Sequence, residues 1–487
     1  MRKLFLFIFS VFTIQAIAQT NDPNLPDDLL TSDFHQSRRV KLREQLPANS
    51  MAVFFANPVR NRSADVDYIY HQDPDFFYLT GYKEPNAVLF IFKEKQTANN
   101  GEKYDEIIFV QPRNELYEMW TGRRLGTAGV KERLKLDQAF NNNEFKKYNI
   151  DFASFDQILF FDFKNDVRDT KYDSADLYDL ISQFKAKVNY PTTSSIAVNP
   201  EPPKNNLNTK LLGDIMNNLR GIKTPEEIEM IKKAVKISCV GQMEVMKALK
   251  PGMSEREIQG IHEYVFKKYQ AEDVGYPSIV GAGNNGCILH YDINYKPNIT
   301  AKELVLMDLG AEYRGYTADI TRTIPVNGTF SPEQKQIYEL VLKAQEEARK
   351  ICKPGTTFEE LTMATKVIVN KGLKELGIIQ DENKPNRYYP HGCCHHIGLD
   401  VHDRGNYEKL EEGMVITIEP GIYIPENANC DKKWWNIAVR IEDDFLITKD
   451  GNEHLSVIAP RTVQEIEDIM KLPSPLDDFV LPELQKE

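Results

Sequence analysis

The first part of the chain alternates short apolar runs with polar, helix-prone stretches. Residues 51–56 (MAVFFA), 87–92 (AVLFIF), 107–110 (IIFV) and 158–161 (ILFF) have the length and the branched or aromatic content of strands. They predict one α/β domain over residues 34–188. Residues 189–208 are rich in Pro, Asn, Ser and Thr and read as a boundary, the start of a connecting segment spanning 189–220.

From Thr224 the pattern changes and repeats. Thr224-Pro225-Glu226-Glu227 offers an N-cap, a proline at the first helical position and an acid that closes a capping box. The helix it predicts runs to about Leu249 and stops at Lys250-Pro251-Gly252; Ser254 and Glu257 box the next one. The same order returns later. Ser331-Pro332-Glu333-Gln334 opens a helix ending near Cys352, Lys353-Pro354-Gly355 stops it, and Thr357 and Glu360 box its successor. Each copy leads into an apolar strand that ends in a carboxylate, LVLMD over 304–308 and VITIE over 415–419. A second acid follows each strand, Asp319 in the first copy and Glu442 in the second. Two related halves are expected within residues 221–465, with four carboxylates converging near a pseudo-two-fold axis. Asp308 and Asp319 bracket a turn at Tyr313-Arg314-Gly315, and a register facing 308 to 319 would bring both to one site. Residues 466–487 read as an acidic, proline-containing tail, loosely attached.

Composition narrows the function classes. A chain of 487 residues with 41% hydrophobic and 27% charged positions is globular, which excludes wholesale disorder and fibre. A net charge of -12 argues against nucleic acid or an anionic membrane as partner, since either needs a basic footprint. Arg2 and Lys3 precede a largely apolar run over 4–18 that ends in Ala16-Ile17-Ala18. That is the layout of a signal peptide cut before Gln19, and it predicts an exported protein, periplasmic or secreted, with no membrane anchor. The six cysteines all lie in the second half without framework spacing, so they read mainly as small buried hydrophobes.

An acid at the end of an apolar strand is costly to bury unless it is paired or holds a metal. A single one is most often a solvated or ion-paired carboxylate; the symmetric set of four points to divalent cations. Histidines gather beside the second pair. His391, His395 and His396 lie within HGCCHH, and His402 follows shortly after. Glycines at 392 and 398 argue against a zinc-binding helix despite the His391/His395 spacing. Gly281-Ala282-Gly283-Asn284-Asn285-Gly286 matches a dinucleotide fingerprint, but the extended pattern after it lacks the required helix. No G-x-S-x-G occurs, which disfavours a serine hydrolase of that class.

At these residues the chain resembles the Xaa-Pro aminopeptidases (aminopeptidase P), within the wider methionine aminopeptidase, prolidase and creatinase superfamily. The matching segments are NGCILHY over 285–291, DITRT over 319–323, GLDVHD over 398–403, EPG over 419–421 and RIED over 440–443. RSAD over 62–65, FFYLTG over 76–81 and WTGRR over 120–124 extend the resemblance into the first domain. It implies an α/β (α+β) chain: a creatinase-like N-terminal domain followed by a pita-bread catalytic domain built on the internal repeat. It implies two divalent metal ions held by Asp308, Asp319, His395, Glu419 and Glu442, with Asp319 and Glu442 shared between them. The oxygen-rich ligand set favours Mn²⁺, with Co²⁺ or Zn²⁺ as alternatives. Glu419 and His402 would handle protons around an activated water, and His290 and His391 would line the proline pocket. Tyr423 would donate to a ligand carboxylate, Arg440 would meet negative charge, and Asp65 and Trp120 would approach an active site, sometimes a neighbouring subunit's. Cys393 and Cys394 stand where the family usually has Leu and Ser. The implied partners are proline-containing peptides and further copies of the chain, as a dimer or tetramer. The implied reaction is release of an N-terminal residue ahead of proline. A prolidase-type dipeptidase and a non-catalytic peptide-binding module are the alternatives.

Overall fold

The computed structural model describes residues 26–98, 100–191, 205–478 and 481–482. The expected export segment lies outside them, as do residues 192–204 of the expected connection.

The N-terminal unit comprises α1 (Ser32–Gln45), β1 (Ser50–Phe55), β2 (Asn61–Ser63), β3 (Val66–Asp67), α2 (Pro74–Thr80), β4 (Val88–Thr97), β5 (Lys103–Val110), α3 (Glu115–Thr121), α4 (Gly126–Leu134), β6 (Gln138–Asn141), β7 (Gln157–Leu159) and α5 (Leu177–Lys187). Its sheet has the order β6-β5-β4-β1-β7, extended at the edge by β8 (Leu207–Asn208). Each apolar run read from the sequence becomes a strand of this sheet. Alternation divides the side chains between two cores: Ala52, Phe54, Leu89 and Ile91 on one face, Met51, Val53, Val88 and Phe90 on the other. A strand buried on both faces reads as a continuous apolar run. The stretch expected to be purely connective supplies β8, which pairs with β7, and α6 (Leu211–Gly221). Its polar composition hides a strand whose partner lies about fifty residues back.

The C-terminal unit carries the repeat. Its first half is α7 (Pro225–Ala248), α8 (Glu255–Lys268), β9 (Asp273–Val274), β10 (Ile279–Ala282), β11 (Leu304–Asp308), β12 (Ala311–Tyr313), β13 (Tyr316–Thr317) and β14 (Thr321–Pro325). The second is α9 (Pro332–Ile351), α10 (Phe358–Glu375), β15 (Val415–Ile418), β16 (Gly421–Ile424), β17 (Ile437–Arg440), β18 (Asp443–Ile447) and β19 (Asn452–His454), with α11 (Val463–Ile469) beyond it. All four expected capping boxes form, at Thr224/Glu227, Ser254/Glu257, Ser331/Gln334 and Thr357/Glu360. Each cap stabilises its helix by about 1 kcal/mol. The long helices then serve the strands in the same way in both halves. Gln242 on α7 donates its amide to the carbonyls of Met307 and Ile320, and Gln345 on α9 to those of Ile418 and Ile441. One buried amide per half thus pins the ends of two acid-bearing segments.

Two expectations need correction. Arg314 (φ 54°) and Gly315 (φ 87°) form a two-residue turn that sets Tyr313 opposite Tyr316. The register therefore runs two positions on from the one expected, and Asp308 faces Thr321, not Asp319. The chain beyond Leu472 is also anchored as far as it is described: Ser474 is buried, Leu476 packs on the core and Lys250 pairs with Asp477.

His262 on α8 is fully buried, with neither ring nitrogen hydrogen-bonded among the described residues. Burial lowers its pKa from 6.5 to about 3, and lowers that of His35 to about 4. The unfolded chain takes up these protons and the fold does not, so stability present above pH 6.5 is lost as pH falls toward 3. Urea midpoints measured across that window should fall less steeply for His262→Phe than for the parent. Parallel curves would contradict the assignment.

Candidate metal centre

Four acids arrive at one place from the ends of four segments. Asp308 is the last residue of β11, and Asp319 lies in the break between β13 and β14. Glu419 follows β15, and Glu442 separates β17 from β18. His395 comes from an irregular stretch laid along β15, with Thr417 N–H donating to the His395 carbonyl and Glu419 N–H to that of Cys393.

The side chains meet closely. His395 Nε2 is 3.5 Å from Asp319 Oδ2, 3.5 Å from Glu419 Oε1 and 4.0 Å from Glu442 Oε1. Asp319, His395 and Glu442 can each offer a ligand atom within 4.8 Å of the others. Tyr276 O–H lies 2.6 Å from both Asp308 Oδ1 and Asp319 Oδ1. One hydroxyl hydrogen cannot serve both contacts, so the pair calls for a further proton or a cation. Arg440 donates to Asp308 Oδ2 at 2.5 Å and to Thr321 Oγ1 at 3.1 Å, and Thr321 donates to Glu442 Oε2 at 2.6 Å. Glu442 is 1% exposed, and its Oε1 has no hydrogen-bond partner among the described residues.

Burial, and after it the neighbouring acids, push the carboxyls of Asp319 and Glu442 well above the usual range. Burial likewise raises Glu419. Keeping these carboxyls charged is costly unless cations balance them. An orphaned buried oxygen among four carboxylates and one imidazole fits hard divalent ions, which take oxygen donors.

The remaining expected residues divide into two groups. His402 is exposed, and its ring stands edge-on to His395 at 4.5 Å between centroids. His290 is exposed, and it is among the groups that hold His391 and His402 below the ordinary imidazole range. His391 Nε2 is 2.8 Å from Tyr423 Oη, and its Nδ1 is 2.6 Å from the Gly392 carbonyl. Burial lowers His391 to about 4, so the ring is neutral, donating from Nδ1 and accepting at Nε2. Tyr423, pushed up to about 12 by burial, keeps its proton and accepts from Arg440 Nη1 at 3.0 Å. Its hydroxyl thus meets His391 and Arg440 and not a candidate ligand carboxylate, because the guanidinium stands between them. Asp65 is exposed and Trp120 is 89% exposed, and neither makes a hydrogen bond, ion pair or ring contact with these residues among the described ones. The six cysteines are free thiols. The Cys394 thiol is pushed well above its ordinary pKa, first by the Cys393 thiol beside it and then by burial.

Sequence reasoning missed Tyr276 and Asp444. Asp444 Oδ2 accepts from Asp319 N–H at 3.1 Å, and burial pushes its carboxyl up to about 8. Tyr276 lies outside every repeated feature. Asp444 directly follows the matching RIED segment, and its place beside Glu442 was the available signal.

Comparison with known proteins identifies the family. Residues 229–449 match metallopeptidase family M24, and residues 35–158 match the aminopeptidase P N-terminal domain. Xaa-Pro aminopeptidase of Escherichia coli K12 is 35% identical over 447 residues, covering 89% of this chain and 97% of its own. Human Xaa-Pro aminopeptidase 3 is 31% identical over 435 residues, covering 87% and 82%. The structure of Escherichia coli aminopeptidase P with the inhibitor Pro-Leu superposes with a TM-score of 0.78 at 33% identity, covering 91% of this chain and 98% of that one. The chain therefore belongs to metallopeptidase family M24, in the group whose pita-bread domain follows an aminopeptidase P N-terminal domain.

Proposed function

We propose that this chain releases the N-terminal residue from peptides with proline at position two, using two divalent cations, Mn²⁺ by preference. The observation that carries the reading is the buried convergence of four carboxylates and one imidazole, with Glu442 Oε1 left unpartnered. Asp308, Asp319, His395, Glu419 and Glu442 would hold the ions. Asp319 and Glu442 would be shared, since Glu442 feels the charge of all three other acids. When bound, such a pair supplies Lewis acidity and an activated water for attack on a carbonyl.

The chain's own groups do the rest. Glu419 is a ligand candidate with one edge open, its Oε2 3.7 Å from His391 Nδ1, and it can take a proton from the attacking water. His402 stands edge-on to His395 at the exposed side of the centre and can relay that proton from Glu419 to the departing amine. His290 and His391, the latter neutral, present their rings to the proline side of the substrate. Tyr423 fixes His391 and is itself fixed by Arg440, which also offsets the charge of Asp308. Assay of a panel of peptides with Pro or Ala at position two, of varied length and with Mn²⁺ added, tests the reading. Cleavage confined to Xaa-Pro bonds is expected, and indifference to proline would overturn it. Asp319→Asn should abolish turnover while leaving the melting temperature within a few degrees, because an amide cannot supply a shared negative charge. Near-normal turnover at saturating Mn²⁺ would remove Asp319 from the centre.

We also propose that the chain self-associates through the N-terminal unit. Ile69, Leu116, Met119 and Trp120 are all more than two-thirds exposed, and α3 buries none of its residues. Asp65 and Trp120 are also exposed in this unit and would act across such an interface. Met119→Asp should lower the mass measured by light scattering; an unchanged oligomer would exclude this face. Export with cleavage before Gln19 is supported by Arg2, Lys3 and the Ala16-Ile17-Ala18 exit. The protein recovered from its producing cell should begin at Gln19, and an intact Met1 would refute export.

A further inference from the structure

Residues 398–404, which carry His402, have no regular secondary structure. Their shape has to come from side chains, and those side chains are held by charge. Asp403 is buried; its Oδ1 accepts from Arg220 and its Oδ2 from Lys223 Nζ at 2.8 Å. Asp400 Oδ2 accepts from Arg220 Nη2 at 2.8 Å. Both acids that flank His402 are thus gripped by one fully buried guanidinium on α6. Packing there is tight, since a Cβ on Gly398 would lie 2.1 Å from Asp403 Oδ2. Thr317 N–H, at the end of β13, donates to the Gly398 carbonyl at 2.8 Å and ties the loop to the hairpin between Asp308 and Asp319.

Arg220, on the connecting helix, is in turn held by the N-terminal unit. Its Nη1 donates to Asp75 Oδ1 at 2.6 Å, and Arg404 Nε donates to Asp75 Oδ2 at 2.8 Å. Asp75 lies on α2 of the N-terminal unit and is buried. It therefore grips the loop twice, through Arg220 before His402's two acids and through Arg404 after them. The network balances three cations (Arg220, Lys223, Arg404) against three anions (Asp75, Asp400, Asp403). Two residues along the same helix, Phe77 touches the turn at Gly315, where a Cβ would lie 2.9 Å from the ring.

We propose that Asp75 is a positioning residue for His402, acting through Arg220 and Arg404, so that the N-terminal unit sets the geometry of the proton-handling loop. The inference rests on the reading of His402 given above. Neutralising Asp75 leaves three cations facing two anions around a buried guanidinium, and the loop must shift to rebalance them. A displacement of about 1 Å at a reacting group is enough to cost about 10²-fold in rate.

The test is a double-substitution cycle on the full chain, with kcat, KM, bound metal and melting temperature measured for each variant. Asp75→Asn preserves shape and should lower kcat by about 10- to 100-fold with KM and metal content little changed. In a His402→Ala background the same change should lower kcat by less than about twofold, because there is no imidazole left to misplace. A merely structural Asp75 would give the same loss in both backgrounds, or an undiminished kcat in a folded protein, and either result overturns the proposal. If His402→Ala alone leaves kcat unchanged, the reading of His402 fails and the inference with it. Should Asp75→Asn not fold, Arg404→Gln carries the same comparison, since that side chain is about one-third exposed.

Discussion

Four carboxylates brought into one buried place repel one another and lose their hydration together, and the folded chain must meet that cost before it can use them. The surrounding structure answers it in layers. Arg440 offsets Asp308, Tyr276 sits between Asp308 and Asp319, and Thr321 donates to Glu442. Behind them Gln242 and Gln345 hold the carbonyls at the ends of the acid-bearing segments, so that the acids cannot move apart to relieve the repulsion. What these groups leave uncompensated, above all Glu442 Oε1, is the capacity that divalent cations would fill.

Much of this was legible in the chain because the informative signals are local. The capping boxes at Thr224, Ser254, Ser331 and Thr357 need only four residues each, and their repetition exposed the two halves. Asp308 and Glu419 stood out as acids at the ends of apolar strands. What failed depended on geometry that letters do not carry. The register error came from the turn: Arg314 adopts a left-handed conformation that a non-glycine residue rarely takes, and the pairing moved by two. Tyr276 and the two glutamines act through space on partners more than thirty residues away, from helices or loops whose sequences look ordinary. Tyr423 was placed correctly in the neighbourhood and wrongly in its partner, because Arg440 lies between it and Asp308.

The N-terminal unit is joined to the catalytic unit by chemistry as well as by chain. Asp75 with Arg220, and Phe77 against the Gly315 turn, link one short helix to both loops that border the centre. Buried ion networks contribute little net stability compared with an apolar core of the same shape. Their value here is geometric: a charged network tolerates one arrangement of its members, whereas apolar packing tolerates several.

The paired glutamines have a consequence for assembly. Each half supplies only part of the donor set, and each half's acids are aligned only once its own long helix has docked on its strands. Neither half can present the full donor set by itself, and the closing of the second half is the step that creates it. No ion can therefore be held by the full donor set until the two halves have closed on one another.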